Sequence, residues 1–107
     1  IVDQILPGQV EDFIRNLLSK TRQMDKAKLQ ARNIEVDIVL LRFKKPEVYA
    51  EVKWKKHISK EEVEKIERKM STLRGEKLLI IPNHKNIETT PQNIKVITPR
   101  EIIQQTV

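Results

Sequence analysis

Hydrophobic and polar positions alternate with period two along two neighbouring stretches of the chain. In the first, Ile34, Val36 and Ile38 oppose Glu35 and Asp37. In the second, Val48, Ala50, Val52 and Trp54 oppose Tyr49, Glu51, Lys53 and Lys55. Successive side chains of a strand point to opposite faces, so the pattern predicts half-buried β-strands over 34–41 and 48–54. The link Arg42-Phe43-Lys44-Lys45-Pro46 is short enough for an antiparallel hairpin. With the charged faces on one side, Asp37, Glu51 and Lys53 converge.

On either side the apolar period becomes helical. Val10, Phe13, Ile14, Leu17 and Leu18 form the i, i+3, i+4, i+7, i+8 stripe of a core-facing helix over 9–20, after the breaker pair Pro7-Gly8. Glu11 and Asp12 then fall in its first turn, where the helix dipole favours negative charge. The alternative for Glu11 is a place at the edge of the stripe, aimed at the sheet. Ala27, Leu29 and Ala31 alternate with polar residues, although all are tolerated in helices; the preferred reading is a strand over 27–31 turning at Arg32-Asn33. Ser59 with Glu62 is a capping-box pattern for a helix reaching about Leu73, burying Val63, Ile66, Met70 and Leu73 and closed by Arg74-Gly75. The apolar run 78–81 predicts a strand covered on both sides. A polar loop over 82–91 leads to a short strand over 94–97. Thr98-Pro99-Arg100-Glu101 starts a last helix, with proline at the first helical position. The order is helix, three strands, helix, strand, strand, short helix. It predicts one α/β domain over 1–107, a mixed sheet with helices on both faces.

Composition narrows the function classes. The net charge is +6 and the pI about 9.7, a balance that favours polyanions and nucleic acid first. A solvated lysine-rich surface gives the same total, since acidic residues are well mixed in. The absence of cysteine excludes disulfides and thiolate metal sites and points to a reducing cytoplasm. No apolar run approaches membrane-spanning length, so no membrane partner is expected. With only Gly8 and Gly75, no glycine-rich phosphate loop is available. The chain begins at Ile1 and is read as a fragment of a longer chain or a processed product.

Two carboxylates held close together repel unless something positive sits between them. Mg²⁺ suits that place, with Mn²⁺ as a substitute, because it takes oxygen ligands and keeps several waters. Asp37 and Glu51 are the candidate ligands, with the Val52 backbone carbonyl as a third and Glu11 acting through a water. Lys53 shares the face of Glu51 and would orient a water or stabilise charge on a phosphate. Lys44, Lys45, Lys55, Lys56 and Lys60 form either a solvated rim or a phosphate-steering one. His57 and His84 are isolated and read as surface residues, and Trp54 as core.

Asp37, thirteen intervening residues and then Glu51-Val52-Lys53 resemble the PD-(D/E)xK nuclease core, and the element order is similar to it from Val10 to Ile81. More narrowly, Glu35-Val36-Asp37-Ile38-Val39 with Glu51-Val52-Lys53-Trp54 resembles the nuclease-like C-terminal domain attached to archaeal ATPases. Val10-Glu11-Asp12-Phe13-Ile14 is similar to the helix carrying that group's extra glutamate. Val36 stands where the family name has proline, and Val52 where the narrower group often has a small residue or cysteine. The resemblance implies a restriction-endonuclease-like core, helix, three-stranded meander, helix, strand. It implies a Mg²⁺-dependent DNA endonuclease site at Glu11, Asp37, Glu51 and Lys53. The implied partners are DNA and a linked or associated ATPase domain, with a homodimer left open. Two other readings stand beside it: a catalytically silent DNA-binding module serving a linked ATPase, and a purely structural or protein-interaction domain.

Overall fold

The structure is a computed structural model that describes residues 7–26 and 36–104. The first helix, α1 (Pro7–Arg22), begins two residues earlier than expected, three ahead of its apolar stripe. Proline at the first helical position loses no hydrogen bond, so Pro7 starts the helix rather than preceding it. Glu11 and Asp12 therefore lie beyond the first turn, which holds no acidic residue, and the helix-dipole reading of Glu11 fails. Val10, Ile14 and Leu18 are buried in a straight i, i+4, i+8 line. Complete burial of Ile14 and Leu18 contributes about 1.5–3 kcal/mol each. Phe13, expected in the stripe, is half exposed, because it lies off that line.

β1 (Asp25–Lys26) pairs antiparallel with β2 (Ile38–Arg42) through Asp25↔Leu41 and Lys26↔Leu40. The strand expected over 27–31, its turn at Arg32-Asn33, and Ile34 and Glu35 lie outside the described residues. β2 pairs antiparallel with β3 (Lys45–Val52), with Ile38 opposite Ala50 and Arg42 opposite Lys45. The connection is thus only Phe43-Lys44, shorter than the expected five-residue link, and both residues have positive φ, 53° and 67°. Those signs match the right-handed twist of a two-residue hairpin. β3 begins at Lys45 rather than Val48 and ends at Val52 rather than Trp54. Pro46 is accommodated beside a register shift between Leu40 and Leu41.

α2 (Lys60–Met70) opens on the expected capping box, Ser59 and Glu62 exchanging hydrogen bonds with each other's backbone. Val63, Ile66 and Met70 are buried. The helix stops at Met70 with Ser71 as its cap, short of the expected Leu73. Gly75 has a different task from closing it. Its φ is +141°, and a Cβ there would sit 2.4 Å from the Glu47 carbonyl oxygen, so the glycine lets the chain pass close to β3. β4 (Glu76–Ile80) then runs parallel to β3, with Val48 opposite Glu76 and Val52 opposite Ile80. β5 (Lys95–Ile97) runs parallel to β4, and α3 (Pro99–Gln104) follows. The sheet order is β1-β2-β3-β4-β5, mixed in direction.

The period-two pattern sorts the core into two layers. Ile38, Leu40, Val48, Ala50, Leu78, Ile80 and Ile97 pack against Val10, Ile14 and Leu18 of α1 and Ile102 of α3. Tyr49, Leu79 and Ile81 pack on the other face against Val63, Ile66 and Met70 of α2. Both faces of β4 are covered, as its uninterrupted apolar run requires. Among the described residues, no helix is long and apolar enough to cross a membrane.

Candidate functional site

Asp37 sits one residue before β2, and Glu51 one residue before the end of β3. The ladder pairs Ile38 with Ala50, so the next step places Asp37 beside Glu51. Each carboxylate accepts a hydrogen bond from the opposite strand's backbone. The Asp37 N–H donates to Glu51 Oε1 at 3.2 Å, and the Val52 N–H donates to Asp37 Oδ2 at 2.8 Å. These two bonds hold the pair where the ladder ends. Glu51 is only 4% exposed, one of few polar groups buried in the core.

The pair is approached from both helical layers. From α1, Arg15 donates to the Asp37 carbonyl at 3.0 Å and to Glu11 at 3.3 Å, and its other amino group reaches Asp12 at 2.7 Å. Arg15 thereby ties Glu11 to the start of β2. Burial pushes the Glu11 carboxyl above its ordinary range, and the negative charge of Asp37, with smaller contributions from Asp12 and Glu51, pushes it further against the pull of Arg15. Glu11, Asp37 and Glu51 therefore share one negative field. From α2, Lys69 Nζ pairs with Glu51 Oε2 at 2.5 Å.

Lys53 follows β3 directly, and its N–H donates to the Ile80 carbonyl at 2.9 Å, extending the parallel ladder by one residue. Its side chain is partly exposed and forms no ion pair among the described residues. Its charge helps to hold Glu62 of α2 below the usual carboxylate range, after the larger effects of the Lys55 and Ser59 hydrogen bonds. The structure thus gathers Asp37 and Glu51 and sets Glu11 within their field, while the charge of Lys53 is felt by Glu62 of α2. Among the described residues, the cation paired with Glu51 is Lys69.

Neither Arg15 nor Lys69 was singled out by sequence. Arg15 lies four residues after Glu11, the spacing of a helical ion pair. Lys69 lies three residues after the buried Ile66, at the margin of the stripe facing the sheet.

The expected basic rim divides. Lys55 and Lys56 follow the site on the β3–α2 loop, and Lys60 is the first residue of α2. Lys55 is paired with Glu62 at 2.7 Å. Lys44 and Lys45 are not neighbours of the site. They occupy the hairpin tip, and six residue steps of strand lead from Lys45 to Glu51, roughly 20 Å. The histidines are surface residues with carboxylate partners, His57 with Glu88 and His84 with Glu101. Trp54 packs against the α1 layer, away from Glu51.

Among the described residues, no three His, Asp or Glu side chains gather closely enough to ligate one ion together. An all-protein cage is therefore not present. The donor set fits an ion such as Mg²⁺ that keeps most of its waters and needs one or two carboxylates. Asp37 and Glu51 supply those. The Val52 N–H points at Asp37, and in an antiparallel ladder the N–H and C=O of one residue face the same neighbour, so the Val52 carbonyl is turned to the same gap. The accumulated negative field at Glu11 is what a cation would relieve. The chain matches no protein-family model, no curated protein and no solved structure.

Proposed function

We propose that the chain is a nuclease-like domain of the PD-(D/E)xK type, hydrolysing DNA phosphodiesters with Mg²⁺ held by Asp37 and Glu51. The observation that carries this reading is the mutual backbone capping of the two carboxylates at the end of the β2–β3 ladder, with Glu11 in their field. Helices on both faces of a mixed sheet support the restriction-endonuclease-like core. A bound divalent cation would lower the pKa of a coordinated water and neutralise charge on the phosphate. The chain's own residues have separable tasks. Asp37, Glu51 and the Val52 carbonyl would hold the ion, and Glu11 would orient a water from the α1 side. Arg15 keeps Glu11 and the start of β2 in place. Lys53 would draw towards a phosphate laid across the site, and Lys69 must loosen from Glu51 as a cation is taken up. Lys55, Lys56 and Lys60 would meet the DNA backbone beside the site. A linked ATPase partner belongs to the same proposal.

A second reading, a catalytically silent DNA-binding module, is favoured by one observation. The Glu51 oxygens are already engaged by Lys69 and the Asp37 N–H, and Asp37 Oδ2 by the Val52 N–H. Nicking of supercoiled and branched DNA separates the two. With Mg²⁺, the wild type nicks, while Asp37→Asn and Lys53→Ala lose on the order of a hundredfold or more in rate. No nicking by the wild type, or equal residual nicking in all three, favours the silent module.

A further inference from the structure

The tip of the β2–β3 hairpin carries a feature that phosphodiester hydrolysis does not use. Phe43 is 90% exposed, the most exposed large apolar side chain among the described residues. It stands at the first position of the two-residue turn with φ 53°, followed by Lys44 with φ 67°. Such turns favour Asn-Gly, because the left-handed region crowds any Cβ. A bulky aromatic there is an outlier, with strain that no packing offsets.

The tip also overhangs the sheet. β4 joins β3 only from Val48 onwards, so Lys45, Pro46 and Glu47 have no partner strand on that side and are exposed. Among the described residues, Lys44 and Lys45 form no ion pair, and Arg42 pairs with Glu47 at 2.9 Å, both about half exposed. A single aromatic ring is thus presented on a projecting arm, flanked by cations.

We propose that Phe43 is a base-stacking wedge, its ring lying against an unpaired base in DNA while Lys44 and Lys45 grip the adjoining phosphates. Every base has a π-face, and stacking on an exposed aromatic is tolerant of sequence. The lysines supply the sequence-independent attraction to the backbone. A lipid surface fits less well, because membrane anchoring takes a broad apolar face and this tip offers one ring. The wedge rests on the nucleic-acid part of the reading above and not on cleavage. With the tip roughly 20 Å from Glu51 along β3, it directs the domain to gapped, bulged or branched DNA rather than to uniform duplex.

The test is binding in EDTA, so that cleavage plays no part. The probes are a perfect duplex and the same duplex with one unpaired 2-aminopurine. The wild type binds the second roughly tenfold tighter and changes its fluorescence as the base leaves its neighbours. Phe43→Asn, which suits the turn better and so keeps the fold, loses both the preference and the fluorescence change but retains duplex affinity. Phe43→Trp keeps both. Lys44→Ala with Lys45→Ala weakens binding to the two probes equally and lowers the salt dependence. The wedge is refuted if Phe43→Asn keeps the preference, if the wild type shows none, or if the tip binds anionic phospholipid vesicles and not DNA. Absence of binding to either probe overturns the DNA reading as well. A gap preference in a protein that nicks nothing upholds the wedge and rejects the nuclease.

Discussion

Replacing Lys69 by methionine removes the cation from a buried carboxylate while keeping most of the alkyl chain. The Glu51 side chain is 6% exposed and that of Lys69 is 32% exposed. Breaking a fully buried pair by deleting one partner costs about 3–5 kcal/mol. Water reaches Lys69 in part, so the expected loss is smaller, about 1–3 kcal/mol. For a domain of this size that lowers Tm by roughly 10 °C. If Lys69 and a divalent cation compete for Glu51, the variant should also bind Mg²⁺ more tightly than the wild type. A ligand at a hundred times its Kd adds about 2.7 kcal/mol, enough to recover the loss. Adding Glu51→Gln should remove most of the penalty, because no charge is then left uncompensated. The assay is thermal unfolding by circular dichroism of wild type, Lys69→Met and the double variant, in EDTA and in Mg²⁺. An unchanged Tm for Lys69→Met in EDTA would refute the role of Lys69. Equal stabilisation of wild type and variant by Mg²⁺ would refute the competition.

Two further substitutions test the geometry around the site. Glu11 has a raised pKa, so its contribution to stability is present below the ordinary carboxylate range and lost as pH rises through the raised value. Glu11→Gln should therefore stabilise the protein at pH 7 without metal, with the gain vanishing below about pH 4; a constant gain in urea midpoint at both pH values would contradict the shared field. Gly75→Ala should cost about 1–3 kcal/mol, since its Cβ would meet the Glu47 carbonyl at 2.4 Å in a backbone conformation that side chains avoid; an unchanged urea midpoint would show that β3 and the start of β4 lie further apart.

Where burial alone decided structure, the chain's pattern was readable. The Val48, Ala50 and Val52 alternation, the Val10, Ile14 and Leu18 line, and the uninterrupted run of β4 each follow from which surfaces must leave water. The Ser59 and Glu62 cap was readable because its two hydrogen bonds depend only on neighbours in sequence. The hairpin was readable but its link was drawn too long, because its turn lacks the glycine or asparagine that positive φ normally calls for, and Phe43-Lys44 adopts it regardless. Gly75 was assigned to the end of α2 for the opposite reason: a glycine near a helix end resembles a cap, while its true neighbour, Glu47, lies far away in sequence. At the site, Asp37 and Glu51 could be paired from hairpin register alone. Lys69 could not, because its contact with Glu51 depends on how α2 crosses the sheet, which no local pattern encodes. Lys53 was readable in part. Alternation put it on the Glu51 face, and its neighbours Val52 and Trp54 pack on the opposite, α1 side; that its charge is felt by Glu62 depends on where α2 begins, which alternation does not encode.

The central claim is that Asp37 and Glu51 form one divalent-cation site, and calorimetric titration of Mn²⁺ tests it most directly. The account predicts one weak site in the wild type, lost in Asp37→Ala and in Glu51→Gln. Binding should be tighter at neutral pH than near pH 4, because the carboxylates must be ionised to bind. The same heat from wild type and Asp37→Ala would contradict it and move the ion, if one binds, away from the β2–β3 ladder.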